Sequence, residues 1–274
     1  MNSILKKIKI QITITLIATL FVGSTLFAQT NNETDDVWKK MDAIVQTVKV
    51  PKFQNKTFNI NEYGAKADGI FNNTEAIKKA IKDCSKNGGG IDLVTKGKHF
   101  TGAIHSEDNA NLHLDEGAEI LFSTNPKDYY PLVHTSFEGT EFMNYSPLVY
   151  AYNKTNVAVT GKGTLNGQAS NKNWWRWINK EIYGWKKGEP SYADPLNRDR
   201  LVEMGEQNIP VAERIFGEGH YLRPNFVEFF ECKNVLVKDI TIVNAPFWII
   251  HPIKSENVIV DGVNINSHGP NNDG

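Results

Sequence analysis

The chain has 274 residues, enough for one large domain or two small ones with a sizeable core. Lysine plus arginine (30) nearly balances aspartate plus glutamate (31), so no strong field favours nucleic acid or a membrane surface. Two cysteines, Cys84 and Cys232, with no CxxC and no HExxH, argue against a zinc site. Whether the two pair is left open.

Residues 1–28 read as a secretory signal peptide. Lys6, Lys7 and Lys9 precede an apolar run from Ile10 to Phe27, and Ala28 offers a small residue at a cleavage point. Cleavage implies a secreted or periplasmic, mildly acidic protein with no membrane segment left. Residues 29–56 form a leader, weakly helical around Val37 to Val48.

From Thr57 to Tyr63 the chain alternates like a strand, and Gly64 to Gly69 breaks it. A helix follows over 74–87, with Thr74 as cap and Ile77, Ala80, Ile81 and Cys84 on one face. Gly88-Gly89-Gly90 follows a helix and lacks Lys-Ser/Thr, so it reads as a C-cap and turn, not a phosphate loop.

Beyond residue 90 short strands recur. Asn111-Leu112-His113-Leu114, Asn156-Val157-Ala158-Val159, Asn234-Val235-Leu236-Val237 and Asn257-Val258-Ile259-Val260 share one pattern, at separations built on a unit of about 23 residues. A repeat this short cannot bury its apolar face alone and must stack on its neighbours. The expected fold is all-β: a right-handed parallel β-helix over residues 57–274, with the 74–87 helix capping its N-terminal end. A β-propeller, with four strands and about forty residues per blade, fits worse. Between 166 and 222 the pattern lapses into a loop insert holding Trp174, Trp175, Trp177, Trp185, Tyr183 and Tyr192. These aromatics suit either stacking on sugar rings or packing the insert onto the coil.

Several segments together resemble glycoside hydrolase family 28, the polygalacturonase-like pectin hydrolases. Phe58-Asn59-Ile60 with Tyr63 to Gly69, shared with other pectin-lyase-like β-helices, speaks to fold. Gly161 to Gly167 with Trp174-Trp175 is more specific, and Asn244-Ala245-Pro246-Phe247-Trp248-Ile249-Ile250-His251-Pro252 with Gly269-Pro270-Asn271-Asn272-Asp273-Gly274 the most specific. The last six residues resemble the family's Asn-x-Asp-Gly catalytic motif.

The resemblance implies an inverting hydrolase of α-1,4-linked galacturonate in pectin or oligogalacturonides, expected to be a monomer without cofactor or metal. Asp273 matches a water-activating aspartate. The family's Asp-Asp pair, Gly-His-Gly histidine and Arg-x-Lys clamp lie downstream of this motif and are not in the sequence. The chain is therefore expected to be an incomplete, inactive fragment.

Aligning Ala245-Pro246 with Gly269-Pro270 puts Trp248 under Asn272 and His251 just past Asp273, about one strand spacing (~4.8 Å) away. Asn271, Trp248 and His251 are thus expected to contact substrate, with burial between coils the alternative for Trp248 and His251. Arg223 is expected either to take a uronate carboxylate bidentately or to form an ordinary surface ion pair. Exo action, with the insert closing one end of a groove, is an expectation too. The competing readings are a polysaccharide lyase on the same fold and a non-catalytic carbohydrate-binding β-helix.

Overall fold

The computed structural model describes residues 36–273; the signal-peptide reading of 1–28 and the final glycine of the motif lie outside them. The chain divides after Lys49 into two units. In the first, helix α1 spans 36–47, in agreement with the helical leader, and its residues are exposed.

In the second unit the chain winds through three sheets in turn, once per coil. Thr57–Asn59, Gly90–Val94, Ala110–Leu114, Thr155–Gly161, Lys233–Lys238 and Glu256–Asp261 stack as the first sheet. Asp68–Asn72, Gly97–Thr101, Ala118–Phe122, Thr164–Asn166, Thr241–Val243 and Asn264–Asn266 form the second. Ile104–His105, Val149–Tyr152, Val227–Phe230 and Ile250–Ile253 form the third. Every pairing within these sheets is parallel. The fold is a right-handed parallel β-helix, the hand that parallel crossovers take.

Stacking makes columns of like residues. Leu112, Val159 and Val237 lie in register and are buried in the first sheet, as are Ile120, Leu165 and Ile242 in the second. The copies align differently from the equal spacing expected. Ala158, not Asn156, pairs with Asn111, so Asn156 stands on Asn109. The turn leaving Leu114 is longer than its counterparts, and a two-residue slip keeps the same face inward, so alternation cannot reveal it. The true repeat is an asparagine ladder. Asn156 Nδ2 donates to Asn109 Oδ1 (2.9 Å), Asn234 to Asn156 (2.9 Å) and Asn257 to Asn234 (2.8 Å). All four sit at φ between 55° and 60°, in the left-handed region that asparagine tolerates.

Helix α2, Thr74–Lys86, packs its buried face (Ile77, Ala80, Ile81, Cys84) against the first coil. Thr74 is not the cap. It is the first helical residue, and Asn72 Oδ1 accepts from its N–H (3.0 Å) and hydroxyl (2.6 Å). Cys84 and Cys232 are both buried and free.

Two excursions leave the coil at the corner between the second and third sheets. One is an antiparallel hairpin, Val133–Phe137 with Thr140–Asn144, which sequence alternation did not reveal. The other, between Asn166 and Val227, carries short 3-10 turns and helix α3, Arg198–Glu206. Hairpin and insert share a second small core of Phe137, Phe142, Leu201, Phe216 and Leu222, which ends on Phe247.

Candidate active site

The same corner carries the Gly269–Asp273 turn. Third-sheet hydrogen bonding runs from Phe226 N–H to Trp248 O, from Val227 N–H to Ile249 O, and on from Ile249 N–H to Asp273 O (2.8 Å). In that register Asp273 stands over Trp248, and Trp248 over Asn225. Equal spacing had put Asn272 over Trp248; the turn absorbs one more residue. Asp273 is exposed at the edge of this column.

The turn is braced from beneath. Arg223 is 3% exposed, and its Nη1 donates to Pro246 O and Pro270 O, each at 2.8 Å. Its Nη2 donates to Asn271 Oδ1 (3.0 Å), and its guanidinium lies 4.9 Å from the Phe247 ring centre. Burial lowers its pKa to about 10, so it stays charged at neutral pH. This corrects the expected role of Arg223: its fork is engaged inside the protein and does not reach a substrate carboxylate. Asn271, exposed at φ 54°, spends its side-chain oxygen on Arg223.

Trp175 covers the other side. Its indole Nε1 donates to Ala245 O (2.8 Å), and its ring lies so close to Gly269 that a Cβ there would overlap Cε2 and Nε1. Asn272 Nδ2 donates to Ala245 O and Ser267 Oγ, both at 2.7 Å. Trp174 is buried, edge-on to Tyr129 and Trp177. For these two tryptophans the packing alternative is therefore the one realised. Trp177 instead meets Tyr221 edge-on (5.2 Å) and, with Tyr130, Tyr145, Lys127 and His220, lines an aromatic cleft of about 180 Å³.

Trp248 is half-buried, parallel to Phe247 at 5.2 Å, while Phe247 stacks on Phe137 at 4.7 Å. His251 packs edge-on to Trp248 (4.7 Å). Its Nδ1 lies 3.2 Å from Glu228 Oε2 and 2.9 Å from Asn225 Nδ2. Glu228 is fully buried and its carboxyl is pushed up by that burial. Asn225 and Glu228 escaped the sequence reading, and Trp175 and Asn272 were named there without these bracing roles. An acid inside the apolar run Phe226-Val227-Glu228-Phe229-Phe230 was the available signal for Glu228.

The structure thus gathers Asp273, Asn271, Trp248, His251 and Arg223 at one corner, with Asp273 outward and Arg223 inward. Among the described residues, no group of three His, Cys, Asp or Glu side chains is arranged to hold a metal ion.

No family model matches the sequence. The fold superposes on a solved hyperthermoactive exopolygalacturonase from Thermotoga maritima with a TM-score of 0.83 and 46% identity, covering 86% of this chain and 52% of that one. Over most of its length the chain is similar to polygalacturonases. This polygalacturonase-like chain is also 27% identical to a Dickeya chrysanthemi exo-poly-alpha-D-galacturonosidase, over 92% of its own length and 42% of the relative's. To a Vitis vinifera protein named "Probable polygalacturonase" it is 25% identical, over 78% of this chain and 38% of the other. It therefore spans about half the length of the solved relative and about two fifths of the other two.

Proposed function

We propose that the protein bearing this chain is a secreted glycoside hydrolase that removes units from the ends of α-1,4-linked galacturonate chains in pectin. The observation that carries this reading is the 46% identity, across 86% of the chain, to an exopolygalacturonase. It is supported by Asp273 standing exposed on a turn that Arg223 and Trp175 hold rigid.

In this reading Asp273 is a base that activates water on one face of the anomeric carbon. A second carboxyl protonates the leaving oxygen from the other face, and inversion requires the two about 6.5–9.5 Å apart. Trp248 offers a flat face to a sugar ring and His251 a nitrogen to its polar edge. In this reading the two excursions beside the turn close one end of the substrate path, which suits attack at chain ends. Residues 1–28 supply the export signal.

A product-size profile on polygalacturonate tests the reading. Release of the shortest products from the first time point, without absorbance of an unsaturated uronate, is expected. Early mid-length oligomers would overturn exo action, and unsaturated products would point to a lyase. Asp273→Asn is expected to lower kcat by at least about a hundredfold, the scale of one acid–base group.

A further inference from the structure

We propose that Glu228 is a positioning residue that makes His251 a constant hydrogen-bond donor to the carboxylate of the uronic acid unit beside Trp248. The carboxylate partner rests on the reading above; the internal pair does not.

Glu228 and His251 are neighbours on adjacent coils, paired in register in the third sheet. Glu228 is 0% exposed and the His251 side chain 16%. Everything that holds the pair converges on Glu228 Oε2: Thr135 Oγ1 donates from the hairpin (2.9 Å), Asn225 Nδ2 from the same coil (2.5 Å), and His251 Nδ1 lies 3.2 Å away. Glu228 Oε1 has no hydrogen-bond partner among the described residues. His251 Nε2 makes no hydrogen bond with the described residues and is not among their buried unpaired atoms, so the exposed edge of the ring is this one.

Proton counting then decides what that edge presents. A carboxyl raised by burial keeps its proton to higher pH. If that proton sits on Oε2, it is donated to Nδ1 and the ring's own hydrogen is on Nε2. If it moves to Nδ1, the ring is an imidazolium and Nε2 again carries a hydrogen. While the pair holds its shared proton, Nε2 is a donor in both states. Asn225 Nδ2, which donates to Ser136 O (3.2 Å) and Glu228 Oε2 (2.5 Å), lies 2.9 Å from Nδ1. The other titratable groups around the pair are engaged elsewhere. Tyr150, beside Glu228 on the preceding coil, donates to His134 O (2.5 Å). His134 pairs with Glu141 (2.8 Å), and Glu141 with Lys254 (2.5 Å). His105 lies edge-on to Tyr150.

The tests use the full protein and trigalacturonate. Nitrogen-15 NMR of His251 in the free protein at neutral pH is expected to show Nε2 protonated; a neutral ring protonated on Nδ1 alone overturns the pair. In kinetics, Glu228→Leu is expected to raise KM roughly tenfold with kcat little changed, the scale of one hydrogen bond to a charged group. Glu228→Gln can accept from Thr135 and Asn225 only through its amide oxygen, which then also accepts from Nδ1, so it is expected to raise KM about as much as Glu228→Leu. It should also lack the rise in KM expected of the parent at alkaline pH. A Glu228→Gln profile with the parent's alkaline rise overturns the proposal, since a structural role would leave that rise unchanged. In a His251→Ala background, Glu228→Leu should add nothing further to KM. If the parent does not bind trigalacturonate, the substrate reading fails, while the tautomer measurement still decides the pair.

Discussion

Arg223 donates from beneath the coil to Pro270 O and Asn271 Oδ1, 47 and 48 residues further along the chain, two residues short of Asp273. The residue that looked most suited to gripping an acidic substrate instead holds the turn from which the candidate catalytic carboxylate projects. Replacing it by lysine keeps the charge but loses the planar fork that serves two carbonyls and an amide. Arg223→Lys is expected to cost about 1–3 kcal/mol of stability through partners left unpaired. It should also lower kcat more than it raises KM. Denaturant unfolding and steady-state kinetics read the two effects separately.

Gly269 has no space for a side chain. A Cβ there would overlap the Trp175 indole and Asn272 Oδ1. Gly269→Ala is expected to push Trp175 off Ala245 O, cost about 1–3 kcal/mol as overpacking does, and reduce turnover. A shift in Trp fluorescence accompanying the lost activity would locate the damage at this contact; an unchanged spectrum with parental activity would refute it.

Asp92 provides a pH dependence remote from the site. It occupies the inward column of the first sheet, between Phe58 and Leu112, and burial raises its pKa to about 7, the neighbouring Cys84 thiol offsetting only part. An acid whose folded pKa lies above its unfolded value, about 4, favours the fold while protonated. That contribution is complete below about pH 4 and is lost as pH rises through 7. The melting temperature is expected to fall between about pH 4 and 7, and Asp92→Asn to remove most of that fall. Parallel pH profiles for the two proteins would show otherwise.

The asparagine ladder separates two costs. Asn156 gives one side-chain hydrogen bond to Asn109, takes one from Asn234, and sits at φ 55°. Asn156→Gly loses the bonds but accepts the backbone conformation, whereas Asn156→Ala loses both. Alanine is expected to be the more destabilising by about 1 kcal/mol, readable as a difference in denaturant midpoints.

Some of this protein was legible from residue order alone. Alternation with a short period requires stacking, because one coil cannot cover its own apolar face, and that led to the β-helix, the helix at its end and the loop-bearing region. The Gly-Pro-Asn-Asn-Asp motif pointed to Asp273 and its neighbours. Register was not legible, because a slip of two residues preserves which face is buried; only the hydrogen bonds of Asn109, Asn156, Asn234 and Asn257 distinguish one alignment from another. Nor was the direction of Arg223, since a guanidinium reads the same in sequence whether carbonyls or solvent receive it. Glu228 needed the fold as well. It comes to His251 from 23 residues away and to Thr135 from 93, and only the winding of the coil makes them neighbours. Local order thus determined which residues can do chemistry, and the stacking of coils decided which of them face the groove and which hold it in shape.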